Sequence, residues 1–262
     1  MPAEIIDGRK IAEEIRGELR QRVEKLKEKG VTPGLIAILI GEDPGSLSYL
    51  RGIAKGCEAV GIFTDTVKLP ENVTQEELER KIEELNKDPK CHGIILQLPL
   101  PKHLDTLRAE SAVSPDKDVD GTNPVNTGKL LLGEETFFPS TPYGVQELLI
   151  RSGHSPEGKH VVICGRSNIV GKPLMGILVQ KQKKANATVT VCHTGTKDMP
   201  SITRQADILV AAMGKAKAIT ADMVKEGAIV MDGGTDIGEL PHSLAKFKLA
   251  GDVDFEAVKE KA

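Results

Sequence analysis

The stretch that most restricts what this chain can fold into is Gly158–Pro173, Gly-Lys-His-Val-Val-Ile-Cys-Gly-Arg-Ser-Asn-Ile-Val-Gly-Lys-Pro. Val161–Cys164 is a short β-branched apolar run, the pattern of a strand buried on both faces of a parallel sheet. Gly165-Arg166-Ser167 breaks it, and Leu174–Lys184 reads as a helix with Pro173 suited to its first turn. Strand, glycine turn and helix form the unit with which doubly wound α/β sheets offer backbone N–H groups to a phosphate. The spacing departs from G-x-G-x-x-G, since only Gly165 and Gly171 are present. A lone glycine turn is weak, because many such turns bind nothing; Arg166 adds a guanidinium able to pair with a phosphate.

A second strand, Ala187–Val191, ends in Cys192-His193-Thr194. Such folds read the adenosine ribose at this point, with an acid where the 2′-hydroxyl is free. Here His193, Thr194 and Thr196 stand without a carboxylate. Together with Arg166 they favour a 2′-phosphate, hence NADP over NAD. His193 lies near the expected ribose, yet taken alone it is more commonly a satisfied strand-end histidine.

The remainder supports two α/β halves. Apolar residues Ile11, Ile15, Leu19, Val23 and Leu26 mark a helix over Gly8–Lys29, stopped by Gly30. Strands are expected at Leu35–Ile40, Thr64–Leu69 and Gly93–Leu96. Between them lie a helix capped by Ser46 that carries Tyr49 to Val60, and one to Asn86 opened by a Thr74/Glu77 capping box. Gln97 then stands at a strand's C-terminal lip, where open α/β sheets bind ligands. Residues 114–126 read as a polar loop. Phe137–Pro142 reads as the crossing between domains, with a helix from Pro142 to Arg151, followed by strands at 161–164, 187–191, 207–211 and 228–232. The expectation is a two-domain α/β protein, 1–141 and 142–262, with a cleft between the domains and a Rossmann-type doubly wound parallel sheet in the second.

A net charge of -3, with two tyrosines and five phenylalanines in 262 residues, argues against nucleic acid as partner. No apolar run approaches the roughly 20 residues of a membrane span. The acidic, amphipathic start is unlike a signal peptide. Cys57, Cys91, Cys164 and Cys192 lack C-x-x-C spacing and read as reduced packing residues of a cytoplasmic protein. The six histidines show no ligand spacing, so no metal site is expected.

Several motifs in order resemble the methylenetetrahydrofolate dehydrogenase/methenyltetrahydrofolate cyclohydrolase family, the FolD type, over nearly the whole chain. They are Ser48-Tyr49 with its helix to Gly61, Gln97–Pro101, Asp116–Gly121, Pro139–Pro142, Gly165–Ser167 with Val170–Pro173, Ala206–Ile208 and Gly251–Val253. The resemblance implies oxidation of 5,10-methylenetetrahydrofolate by NADP, then hydrolysis of the methenyl product to 10-formyltetrahydrofolate, by a homodimer. It places Tyr49 over the folate ring, Gln97 facing the reacting carbon and Asp120 on the pterin edge. Gly165, Arg166 and Ser167 fall at the cofactor phosphates, and Thr194 stands where a serine is common. Taken one at a time, Tyr49 is also a packing residue, Gln97 a strand end and Asp120-Gly121 an ordinary turn pair. Asp232-Gly233-Gly234-Thr235 is a strand-end loop that could border the nicotinamide.

Two departures stand out. The family pattern is Tyr-x-x-x-Lys, whereas Ile53 follows Tyr49 by four positions, on the same helix face. In the family that lysine serves the hydrolytic step. Its loss predicts a dehydrogenase with weak or absent cyclohydrolase activity. Arg51 and Lys55 are off that face. An ordinary bifunctional enzyme, a silent folate- and nucleotide-binding protein, and a Rossmann dehydrogenase for another substrate such as shikimate are the alternatives. Second, the family continues past Gly251-Asp252-Val253-Asp254-Phe255 into a Pro-Gly-Gly-Val-Gly-Pro loop and a helix, where this sequence stops at Ala262. A chain ending there is expected to be impaired in both activities, unless the sequence is a truncation.

Overall fold

The computed structural model describes residues 3–234, 236–237 and 249–262. In chain order the elements are α1 (Gly8–Glu28), β1 (Gly34–Ile40), α2 (Pro44–Val60), β2 (Phe63–Leu69), α3 (Gln75–Lys87), β3 (Gly93–Leu96), α4 (Thr106–Ala112), α5 (Pro124–Leu132) and α6 (Ser140–Arg151). They continue as β4 (His160–Cys164), α7 (Gly171–Leu178), β5 (Thr188–Cys192), α8 (Met199–Thr203), β6 (Ile208–Ala211), β7 (Ile229–Asp232), β8 (Asp236–Ile237), β9 (Leu249–Ala250) and α9 (Phe255–Val258). The chain divides into two compact units, Asp7–Phe138 and Met1–Ile6 with Pro139–Ala262.

The first unit holds a parallel sheet of order β2-β1-β3. Alternate residues of its strands bury on opposite faces, as the pleat requires. Ile36, Ile38, Ile40, Ile94 and Leu96 meet Leu78, Ile82 and Leu85 of α3, while Ala37, Leu39 and Ile95 meet Leu50 of α2. Each such aliphatic side chain contributes about 1.5–3 kcal/mol of burial. The second unit holds a parallel sheet of order β5-β4-β6-β7, in which Val161–Cys164 are wholly buried. That is the doubly buried strand the β-branched run predicts. All four cysteines are buried free thiols. Burial, with the thiol of Cys192 beside it, pushes Cys164 up to about 12.

Three expectations are corrected. Asp43 rather than Ser46 caps α2: its carboxylate accepts from Ser46 N at 2.7 Å, and Pro44 occupies the first turn. A proline there fixes φ and needs no donor, so the cap is the residue before it. The loop expected through Asn126 contains the start of α5, where Asn123 accepts from Val125 N at 2.7 Å, ahead of Pro124. The helix expected to run to Lys184 ends at Leu178. The Thr74/Glu77 capping box is present with both hydrogen bonds, 3.2 and 2.9 Å.

Candidate functional site

In the first unit the order β2-β1-β3 reverses direction at β1, so the exits of β1 and β3 are a topological switch point. Gln97 follows β3 directly; its backbone N–H donates to Ile38 O at 3.0 Å, and its side-chain amide donates to Leu98 O at 2.8 Å. The Asp116–Gly121 motif comes to the same edge. Ile94 N donates to Lys117 O at 2.8 Å and Asp118 bridges to Ile94 in parallel, which carries Asp120 level with the end of β3. Tyr49, in the second turn of α2, is 55% exposed. Partial burial pushes its phenol up, and the negative charge of Asp120 adds to the effect, so phenol and carboxylate share one neighbourhood.

Ile53 lies one turn further along α2, half-buried against the Ala37, Leu39, Leu50 and Ile95 cluster together with Val119. Arg51 and Lys55 instead line a shallow hollow of about 480 Å³ with Phe63 and Thr64 of β2. Cations flank position 53 in sequence but serve another side of the helix.

The residues that hold this edge from within were not singled out individually in the sequence. Asp118, 2% exposed, accepts from Thr122 N at 3.2 Å, Asn123 N at 2.8 Å and the Asn126 amide at 2.8 Å. Lys117 donates to Leu85 O at 3.0 Å and Asp88 O at 2.8 Å, closing the C-terminal end of α3. Lys117 and Asp118 are therefore inward anchors beneath Asp120 at the lip. Their shared signal was their place inside one motif; their partners lie up to 32 residues away.

In the second unit the four strand exits are level: Gly165 N donates to Cys192 O at 2.9 Å, Ala212 N to Cys164 O at 2.8 Å and Gly233 N to Ala211 O at 2.8 Å. Gly165 has φ +136°, and a Cβ there would fall 2.0 Å from Ala212 O. A Cβ on Gly171 would fall 2.1 Å from Gly165 O and 2.9 Å from Arg166 N. Both positions need glycine, because the turn folds onto the first turn of α7 with backbone against backbone. Ser167 Oγ accepts from Val170 N at 3.1 Å, which spends one of its lone pairs on the entry to α7. Arg166 is exposed and has no ion-pair partner among the described residues.

Thr194 is exposed just beyond β5. Thr196 accepts from His193 N at 2.9 Å, and His193 Nδ1 accepts from Gly195 N at 3.0 Å, so that histidine is satisfied within its own turn. Thr235 lies outside the described residues.

The geometry agrees with comparisons to known proteins. Residues 6–120 match the model of the tetrahydrofolate dehydrogenase/cyclohydrolase catalytic domain, and residues 139–262 match that of its NAD(P)-binding domain. The bifunctional protein FolD of Dehalococcoides mccartyi strain CBDB1 is 58% identical over 264 residues, spanning 100% of this chain and 88% of the relative. The bifunctional enzyme FolD of Campylobacter jejuni, a crystal structure, is 43% identical with TM-score 0.92, over 98% of this chain and 88% of that one. The methylenetetrahydrofolate dehydrogenase-cyclohydrolase of Trypanosoma brucei, solved with NADP cofactor and inhibitor, is 39% identical with TM-score 0.92, over 100% and 89%. With two consecutive α/β units, a glycine turn after β4 and matches of this extent, the chain belongs to the tetrahydrofolate dehydrogenase/cyclohydrolase family.

Proposed function

We propose that this protein oxidises 5,10-methylenetetrahydrofolate to the methenyl compound with NADP, and that it hydrolyses the methenyl product slowly or not at all. Residues 1–141 would take the folate and 142–262 the nucleotide. The glycine cradle at Gly165 and Gly171, which a side chain would fill, fits a dinucleotide lying against backbone. Arg166 and Ser167 would hold its phosphates, and Thr194 the ribose end. When bound, NADP supplies the hydride acceptor.

The observation that carries the reading is the environment of Ile53. As hydride leaves the one-carbon bridge, the adjacent nitrogen lone pair forms the new C=N bond. The protein then supplies alignment and exclusion of water rather than a proton carrier. Tyr49 would lie on the folate ring, Gln97 would face the reacting carbon and Asp120 would accept from the pterin edge. Hydrolysis is different, because water adds to the methenyl carbon and must give up a proton as it does so. At the position beside Tyr49 stands an alkyl group packed against Ala37, Leu39 and Ile95, with no proton to exchange. Removing a positioned acid–base group costs ~10²–10⁴ in rate. Arg51 and Lys55 are turned to the hollow beside β2 and leave the gap uncompensated.

The test is one reaction followed at two wavelengths: protein, methylenetetrahydrofolate and NADP, with NADPH and the methenyl chromophore recorded together. The expected outcome is NADPH formation with methenyl compound accumulating and decaying no faster than in buffer. Onward conversion faster than in buffer would instead support the fully bifunctional enzyme, the reading favoured by the names of its relatives. Absence of NADPH would leave a catalytically silent binding protein. The same reading carries a cytoplasmic homodimer, and light scattering on the purified chain checks the dimer.

A further inference from the structure

Asp252 is wholly buried, and the chemistry proposed above makes no use of it. Its carboxylate accepts from three successive backbone amides just beyond β6: Met213 N, Gly214 N at 3.0 Å and Lys215 N at 2.8 Å. Asp252 is in turn held by Asp232 at the end of β7. One oxygen of Asp232 accepts from Asp252 N at 3.0 Å and the other from Val253 N at 3.1 Å. Ile219 N donates to Asp252 O at 2.9 Å. Two glycines make room for this chain of carboxylates. A Cβ on Gly251 would fall 1.8 Å from Asp232 Oδ2, and one on Gly234 would fall 2.1 Å from Asp252 Cγ.

Burying a carboxylate is costly unless donors surround it, and three amides aimed at one group meet that condition. Those amides belong to the loop that begins at Ala212, and Ala212 O is the atom that Gly165 packs against. We infer that Asp252 is a positioning residue of the nucleotide site, locking the Ala212–Lys215 wall against the glycine turn after β4 and so setting the gap in which a dinucleotide lies. A second consequence follows from the same bonds. With amides 213–215 turned inward onto a carboxylate, they offer nothing to a phosphate, and phosphate recognition is left to groups such as the Arg166 turn. The inference rests on the proposed use of NADP.

The test is Asp252→Asn in the full chain. An amide has one acceptor oxygen, and its NH₂ group faces donors where the carboxylate faced none of its own kind. Loosening of the wall is expected to raise the KM and Kd for NADP about tenfold or more, the usual consequence of losing a charge-assisted hydrogen bond. The KM for methylenetetrahydrofolate should stay unchanged, and kcat should move much less than the NADP terms. A purely architectural role would lower thermal stability and active fraction while leaving both KM values alone, and that result overturns the inference. If Asp252→Asn does not fold, Gly251→Ala decides, because its methyl displaces the Asp232 carboxylate that holds Asp252 and leaves Asp252 itself unaltered; unchanged NADP affinity there also overturns the inference. NADP binding is measured by calorimetry beside turnover. Wild-type protein that binds NADP without oxidising the folate refutes the proposed reaction and leaves the Asp252 test intact, whereas wild-type protein that binds no NADP refutes both.

Discussion

The two sheets share a plan and use it differently. Each places its first strand inside, pairs it with its second on one side and its third on the other, and so opens a switch point at the same end. In the first unit that end is equipped with side chains: Tyr49 from a helix, Gln97 from a strand exit and Asp120 from a loop pinned by buried Asp118. In the second it is equipped with backbone, where Gly165 and Gly171 let chain touch chain and Asp252 ties three amides. The difference teaches where each half is vulnerable. A backbone site fails when atoms are added, whereas a side-chain site can lose one chemistry at a time, which is the loss proposed for Ile53.

Four substitutions would break or sharpen this contrast, in descending order of effect. Ile53→Lys should raise methenyl hydrolysis by ~10²–10⁴ while leaving NADPH formation nearly unchanged. The long side chain can lay its methylenes on the Leu50 cluster with its ammonium at the edge. Hydrolysis still at the buffer rate in a folded variant would remove Ile53 as the cause. Gly165→Ala should cost about 3 kcal/mol of stability and abolish measurable NADP binding, since the new methyl meets Ala212 O at 2.0 Å. Calorimetry and thermal unfolding would both have to be unaffected for the backbone account to be wrong.

Asp118→Ala is expected to cost roughly 2–3 kcal/mol, because it leaves Thr122 N and Asn123 N unpaired beneath the Asp120 loop and takes from the Asn126 amide one of its two acceptors, the other being Pro115 O. The KM for folate should rise and that for NADP should not. The smallest effect is at Glu147, which is buried yet held below the usual carboxylate range: burial raises it, and pairing with Arg151 at 2.9 Å and Lys184 at 3.0 Å more than offsets that. A depressed folded-state value stabilises the fold above the unfolded pKa and is lost as pH falls through the folded one. Glu147→Gln should therefore cost about 1 kcal/mol at neutral pH. The gap to wild type should close on acidification below about pH 4, near the ordinary glutamate value. A gap independent of pH in denaturant titrations would contradict the sign.

The elements read most directly from the sequence are those whose cause is local. The β-branched run 161–164, the periodic apolar face of α1 and the Thr74/Glu77 capping box need no distant partner to be recognised. The helix geometry that sets residue 53 beside Tyr49 is local too. α5 carried a local signal, Asn123 before Pro124 and Gly133 at φ +76° after it, but dense Asn and Pro also spell a turn. The seven-residue α4 is too short for periodicity to register.

Sequence alone thus determined the strands, the longer helices, the glycine turn and the shared helix face of Tyr49 and Ile53, because each is written within a few residues by steric and periodic rules. Only the tertiary structure decided that Asp120 is carried level with the end of β3, that Arg51 and Lys55 serve a different surface, and that Asp252 reaches amides 37 to 39 positions back along the chain. The physical reason is that a buried carboxylate takes its meaning from the donors around it, and no local pattern records which distant donors those will be.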